Sequence, residues 1–444
     1  MVLTLEEKQK RVISYLKLGI WTYFLLLIFE GALRKWFLPF LATPLLIVRD
    51  PVAIWLIYTT WKHNLMPSNF YLYGMSFVGI FAVIMALLFG HGSPVVAMYG
   101  ARILLFHFPV MFIMGAVCNQ NDVIKIGKAL LLIAIPMIVL TALQFYSPQS
   151  AWVNRGIGGD TAGSGFAGAM GFFRPPGTFS FTNGNTMFFS LVGCYVLYFW
   201  ISKTSINRIV LIGATLGLLA SIPLSISRTL LFTVVITMFF TMFAASTKST
   251  YFLKILGVFI VLILLLMVLS QFEFFKTSTE AFTSRFEDAS AIEGGLEGTL
   301  MDRYLGGLVT AISNSTDKPF FGYGIGMGTN AGSKMLTGSV SFLISEEEWG
   351  RLIGEMGALL GLMVIVIRLG FSFKISMASF KKMKSGDFLP WILLSFGLIV
   401  IPQGQWAQPT ALGFSTLIGG LIMASLNSNG TEDKNMNTVN YKQK

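Results

Sequence analysis

From Phe70 to Phe89 the chain reads FYLYGMSFVGIFAVIMALLF, without one charged side chain. About twenty such residues, wound as an α-helix, cross the hydrocarbon core of a bilayer. Similar runs recur along the sequence, and the short segments between them hold most of the charge. Inside lipid every backbone polar group must be satisfied by the protein, so spanning segments are helices or a closed barrel. The runs are continuous rather than alternating, which excludes the barrel. Composition agrees: 54% of the 444 residues are hydrophobic and 12% are charged, about half the charged fraction of an ordinary soluble domain.

The pattern gives an all-α polytopic membrane protein with about twelve transmembrane helices. They are read at 18–38, 41–61, 69–89, 99–118, 125–146, 184–202, 206–223, 228–246, 252–271, 349–371, 388–403 and 409–426. The run 41–61 is interrupted by Arg49-Asp50-Pro51 and is expected to be kinked or broken, as membrane helices are where they line a cavity. The first run continues past Glu30 and Arg34 with no small-residue cleavage site, so it reads as an uncleaved span rather than a signal peptide. Residues 1–426 are expected to form a single helix bundle. Residues 427–444, rich in Asn and Lys, read as a disordered cytoplasmic tail.

The net charge of +11 is a topology signal and excludes nothing about lipid. Lys8, Lys10, Arg11 and Lys17 place the N-terminus in the cytoplasm, and alternating spans then put nearly every short basic loop on that side. No nucleic-acid partner is read from this charge. Both termini fall inside, and two long loops, about 147–183 and 272–347, fall outside. Cys118 and Cys194 give no disulfide framework, and three isolated histidines with no partner at i+4 give no metal site.

With sidedness assigned, arginines on the outer side lack a topological reason to be there. Arg174 stands in "FRPPGTFSFTNGN" before a span, Arg228 closes "SISR" at the start of another, Arg303 lies in the second loop, and Arg351 begins the span at 349–371. Guanidiniums beside helix starts suit an anion with several oxygens; each alone is also consistent with an interfacial anchor. In "SEEEWGRLIGEMGALLGL", Glu348, Arg351 and Glu355 share one helix face. Glu355 with Arg351 is either structural glue or a functional pair. Glu347 and Glu348 are the better candidates for a reactive carboxylate, being nearer the surface. Glu30 and Arg34 are an i, i+4 pair, and Arg49, Asp50 and Arg102 add charge to the outer half of the bundle. His107 reads as a hydrogen-bonded core residue. "FFGYGIGMGTNAG" lacks the Lys-Ser/Thr of a nucleotide loop and reads as a tight backbone turn.

Taken in order, "FEGALRKWFLP", "RDPVAIWLIY", "RPPGTFSFTNGN", "SISR", "DRYLGGLVTAISNSTDKPFFGYGIGMG" and "EEEWGRLIGEMGALLGL" resemble the O-antigen polymerase and ligase family of bacterial membrane glycosyltransferases, in particular an exopolysaccharide polymerase-like subgroup. The resemblance implies location in the bacterial cytoplasmic membrane and a glycan donor on polyprenyl pyrophosphate. It also implies a glycan or lipid acceptor, contact with membrane lipids and with other polysaccharide-assembly proteins, and no cofactor or metal. By it, Arg174, Arg228 and Arg303 hold the pyrophosphate, with Arg351, Glu355, Arg102, Arg49 and Asp50 behind them. Glu348 or Glu347, with Asp302 next, takes the acceptor proton. Ligases of the family are similar in carrying a histidine in the long outer loop. Residues 272–347 contain none, which favours a polymerase. The alternative from another class is a flippase or other secondary transporter, against which stands the lack of an internal repeat.

Overall fold

The computed structural model describes residues 5–246, 271–293, 307–313 and 318–427, with isolated positions between 257 and 268. The expected tail, most of the expected span 252–271, and Asp302 and Arg303 lie outside the described residues.

The fold is helical, and each apolar run that is described becomes a helix for the reason the sequence suggests. Helix α1 (Leu5–Ala32) continues through a π-turn, Leu33–Phe37, and two short 3₁₀ turns lead into α2 (Arg49–Lys62). Asn69 caps α3 (Phe70–Leu88) by accepting from the Tyr71 amide. Helix α4 (Pro94–Arg102) starts on Ser93 and Pro94, and a π-turn (Ile103–His107) joins it to α5 (Phe108–Val117). Asn119 and Asp122 form a capping box for α6 (Gln120–Tyr146). There follow α7 (Thr182–Ile201), α8 (Arg208–Leu224) and α9 (Arg228–Ser246). After these come α10 (Glu273–Glu293), α11 (Gly307–Ser313), α12 (Asn330–Thr337), α13 (Glu348–Lys384), α14 (Leu389–Val400) and α15 (Pro409–Leu426).

Helix α7 is the axis of the bundle. It is buried on nearly every face, as expected of a helix apolar all round, and packs on α6, α8, α9, α14 and α15. Small residues let helices approach: Gly419 and Gly420 of α15 lie against Met111 and Met114 of α5, and Gly115 lies against Met423.

Contacts sort the helix termini into two ends. Lys17 of α1 bridges Asp122 at the start of α6 (2.8 Å), Gln120 donates to Asp387 before α14 (2.9 Å), and Asn427 after α15 donates to the Gly115 carbonyl of α5. At the other end, the Trp36 ring stacks on Trp152 and Arg49 donates to the Pro409 carbonyl. Lys17 and the loops beside Lys125 and Lys384 thus lie at the first end, and the 147–183 segment sits at the second.

Two expectations need correction. Eight helices among the described residues are long and apolar enough to cross a membrane, not about twelve. The runs at 206–223 and 388–403 yield helices of 17 and 12 residues, and the 41–61 run breaks into turns plus the 14-residue α2. The long loops are also not simply loops. The first holds a two-strand hairpin, β1 (Phe166–Ala167) with β2 (Phe173–Arg174), and the second contains α10, α11 and α12.

Candidate functional site

The segment after Arg174 is folded into the bundle, with Pro175 to Ser180 all buried. A loop with so much exposed backbone polarity enters an apolar bundle only if its groups are paired, and they are. Gln144 of α6 binds Gly177 on both sides: its Oε1 accepts from the Gly177 amide (2.8 Å) and its Nε2 donates to the Gly177 carbonyl (3.1 Å). The Lys35 Nζ, wholly buried, donates to the same carbonyl at 2.7 Å. Arg34 donates to Ser180 Oγ (2.9 Å), Asn185 to the Pro175 carbonyl (3.2 Å), and Thr178 to the Ile28 carbonyl (2.6 Å). The backbone of 178–180 lies directly on Gly31, where a side chain would collide with it.

Arg174 itself ends the hairpin, paired across it with Phe166. Two residues before it, Phe172 packs in a small apolar cluster with Ile226, Ala281 and Phe145. Ile226 stands two residues before Arg228, and Ala281 stands four residues, one helical turn, before Arg285 of α10. Phe232 of α9 and Phe286 of α10 are in ring contact at 6.1 Å. Three elements thus bring Arg174, Arg228 and Arg285 around one apolar patch. Burial lowers the pKa of Arg174 from its ordinary value, and the like charges of Arg285 and then Arg228 lower it further. The Nε of Arg174 is buried and has no hydrogen-bond partner among the described residues. Ile226, a β-branched residue, holds φ at +46°, a strained conformation that persists only where surroundings impose it.

A second set of charges is buried between α1, α2 and α4. Asp50 accepts from Arg102 Nη1 (2.9 Å) and contacts His107 Nε2 (2.9 Å), while His107 Nδ1 meets the Tyr23 hydroxyl at 2.7 Å. Glu30 pairs with Arg34 (3.3 Å) and Arg49 (3.4 Å). The two π-turns carry Arg34, Lys35 and His107; such turns re-aim side chains that a regular helix would point elsewhere. With Lys35, four cations face two carboxylates, Glu30 and Asp50, and this excess lies directly beneath the Arg174 segment.

The third set is on α13. Glu348 accepts from Arg351 Nε (3.0 Å) and Nη2 (2.9 Å) and from Arg368 Nη1 (2.6 Å). Arg351 Nη1 donates to Glu355 Oε2 (2.5 Å), and the Gly328 amide donates to Glu355 Oε1 (2.8 Å). The glycine-rich segment is therefore a tight turn, as expected, lying on α13 rather than free at the surface. Its Tyr323 and Gly324 amides bond the Gly354 and Glu355 carbonyls, and His91 holds its Ile325 carbonyl from the other side.

The expected site residues thus separate. Arg174 and Arg228 come together; Arg102, Arg49 and Asp50 form a buried network; Arg351, Glu355 and Glu348 form another. Glu348, 3% exposed and gripped by two guanidiniums, is a poor proton acceptor as it stands. Glu347 is exposed and stands at the N-cap position of α13, where its side chain makes no capping hydrogen bond. Sequence reading missed Arg285, Lys35 and Arg368. Arg285 follows the polar stretch "TSTEAFTS", and neither Lys35 nor Arg368 has a partner within a helical turn in the sequence to mark it. No protein-family model matches the chain, and no curated protein matches it.

Proposed function

We propose that the protein transfers oligosaccharide units carried on polyprenyl pyrophosphate at the outer face of the bacterial cytoplasmic membrane, polymerising the repeat units of a surface polysaccharide. The observation that carries this reading is the convergence of Arg174, Arg228 and Arg285 from three separate elements. Like charges gathered in a half-buried place are costly, and an anion offsets that cost. A diphosphate offers several oxygens, two of which a planar guanidinium can grip at once. Held there, it is a better leaving group, because the negative charge that grows on the departing oxygen meets fixed positive charge. The buried ties of Gln144 and Lys35 to the Gly177 backbone, and of Arg34 to the Ser180 hydroxyl, hold the segment that follows Arg174, which is what a preorganised site requires.

The test is polysaccharide chain length in producing cells carrying Arg174→Ala or Arg174→Lys. This reading expects single repeat units on their carrier at the outer leaflet, for both variants, since an ammonium grips one oxygen where a guanidinium grips two. The second reading, translocation of the lipid-linked unit, is favoured by the broken helix at Gly357. Carrier-linked units stranded at the inner leaflet would support it and sink the first.

A further inference from the structure

The chain that leaves α6 holds an indole ring out at the surface. Trp152 opens a single 3₁₀ turn, Trp152–Asn154, and is 52% exposed. Trp36 stacks on it, with ring centroids 5.5 Å apart and planes at 25°, and Trp36 Nε1 donates to the Trp152 carbonyl (3.0 Å). Trp36 covers one face of the Trp152 ring, so the exposed face is the other. The turn beneath is firmly held. Asn154 is buried, and its side-chain amide reaches the carbonyls of Gln144 (3.0 Å), Ser147 (3.0 Å) and Pro148 (3.1 Å).

The same bonds set this turn beside the arginine hairpin. Gln144 Nε2 donates to the Val153 carbonyl (2.9 Å) as well as to that of Gly177. One side-chain nitrogen thus joins the residue after Trp152 to the third residue after Arg174. On the other strand, the Asn154 carbonyl accepts from the Ser164 amide (2.8 Å) and Gln149 Oε1 accepts from the Gly165 amide (3.0 Å). The next residue, Phe166, pairs with Arg174 across the hairpin. The turn is therefore tied to the chain on both sides of the hairpin. Arg155 follows it directly. It is half-buried, and its Nε, like that of Arg174, is buried with no hydrogen-bond partner among the described residues.

An indole face is apolar and carries the negative side of the ring quadrupole. The C–H groups on one face of a sugar ring are apolar and weakly positive, and they complement it. A guanidinium adds N–H donors for the hydroxyls at the rim of such a ring. Lipid also covers aromatic rings at a membrane interface, but Trp152 stands in "SPQSAWVNRGIGGD", a stretch dominated by Ser, Gln, Asn, Arg, Gly and Asp. The first sugar of a lipid-linked unit is bonded directly to the pyrophosphate. A pyrophosphate held at Arg174 therefore carries its sugar into the neighbourhood of this turn.

We propose that Trp152 and Arg155 bind the saccharide of the lipid-linked unit, with a sugar ring stacked on the free face of Trp152 and its hydroxyls accepting from the Arg155 guanidinium. The inference rests on the transferase reading and adds to it a site that recognises the glycan rather than its carrier.

The experiment compares two probes on the full-length protein in detergent: farnesyl pyrophosphate, which has no sugar, and the lipid-linked oligosaccharide extracted from producing cells. Trp152→Ala should weaken oligosaccharide binding about tenfold while farnesyl pyrophosphate affinity stays within about twofold, which also reports an intact fold. Trp152→Phe keeps a ring and should retain most of the oligosaccharide affinity, and Arg155→Met should lose oligosaccharide affinity alone. Polysaccharide chains in cells should shorten in the same order. Unchanged oligosaccharide affinity in Trp152→Ala or Arg155→Met overturns the proposal, and so does an equal loss for both probes. A ring that lies in lipid would show itself in vesicles of brominated phosphatidylcholine, by stronger fluorescence quenching of the unaltered protein than of Trp152→Phe, and that result also overturns it. Failure of the transferase reading looks different: the unaltered protein would bind neither probe, or Arg174→Ala would bind farnesyl pyrophosphate equally well.

Discussion

Arg368 and Glu348 lie twenty residues apart, on the two helical stretches of α13 that Gly357 separates, and their side chains meet at 2.6 Å. In a straight helix that separation spans about 30 Å. The contact exists because α13 reverses at Gly357, whose φ of 73° and ψ of 172° are not helical. Residues 348–356 therefore fold back along the segment that follows, and Gly361 touches the Ile353 backbone. Arg368 secures the fold-back: it also donates to the Ile401 (2.9 Å) and Gly404 (2.8 Å) carbonyls and lies 3.8 Å above the Trp406 ring. Removing Arg368 leaves Glu348 held by Arg351 alone and takes the donors from the Ile401 and Gly404 carbonyls, a loss of about 1–3 kcal/mol. Arg368→Met should cost that much in thermal unfolding in detergent. Adding Glu348→Gln to it should recover part of the loss, and a double variant no better than the single one would show that Arg368 acts through the 401–404 carbonyls alone.

The reversal depends on one glycine. At φ 73° with ψ near 180° the backbone occupies a region open essentially to glycine only, and the Phe320 carbonyl oxygen stands where a Cβ of residue 357 would go. Gly357→Ala should destabilise the protein by at least about 2 kcal/mol, by conformational strain and by collision with backbone that cannot swing aside. Because the Tyr323 and Gly324 amides bond the carbonyls freed by this break, the variant should also expose the glycine-rich turn. Faster proteolysis near residue 322, alongside the lower unfolding temperature, is the measurement; an unchanged temperature would mean that the reversal is not required.

Much of this was legible in the sequence, and what was not has physical causes. Apolar run length gave the helices, since α3 and α6 follow their hydropathy and their Asn caps. The i, i+3 and i+4 spacing gave the Glu348–Arg351–Glu355 set, because a single helical turn enforces it. The fold-back was hidden: a glycine within an apolar run carries no local sign of its φ, and "GEMGALLGL" reads equally well as continuous helix. Arg368 has no local sign of its partner, which is set by a tertiary reversal. The Arg174 segment was recognised by its prolines and polar residues, but its burial depends on Gln144, Lys35 and Arg34, which lie far away in sequence. Arg285 was missed because α10 is too polar to read as a span.

Lys35 separates stability from positioning. Its ammonium is fully buried, it donates to the Gly177 carbonyl, its one hydrogen bond among the described residues, and that carbonyl also accepts from Gln144. Lys35→Met removes a buried charge, keeps similar volume and strands no acceptor, so unfolding should change by less than about 1 kcal/mol or shift upward. Polysaccharide chain length should nevertheless fall, because the Gly177 turn that follows Arg174 loses one of its two anchors. A variant with unchanged chain length would show that the segment is held well enough without Lys35, by Gln144, Arg34, Thr178 and Asn185.

Orientation across the membrane is open to a direct chemical reading, because the two native thiols, Cys118 and Cys194, are buried and should give little background. Asp160, in the segment between α6 and α7, and Ser385, between α13 and α14, are both exposed at opposite ends of the bundle. From the distribution of basic loops, the positive-inside rule predicts a cytoplasmic Ser385 end. Asp160→Cys should therefore react with a membrane-impermeant maleimide on cells or spheroplasts whose inner membrane is intact, and Ser385→Cys only after that membrane is permeabilised. The reverse order would put the arginine convergence on the cytoplasmic side, where no outward-facing carrier could reach it, and the transferase reading would fail with it.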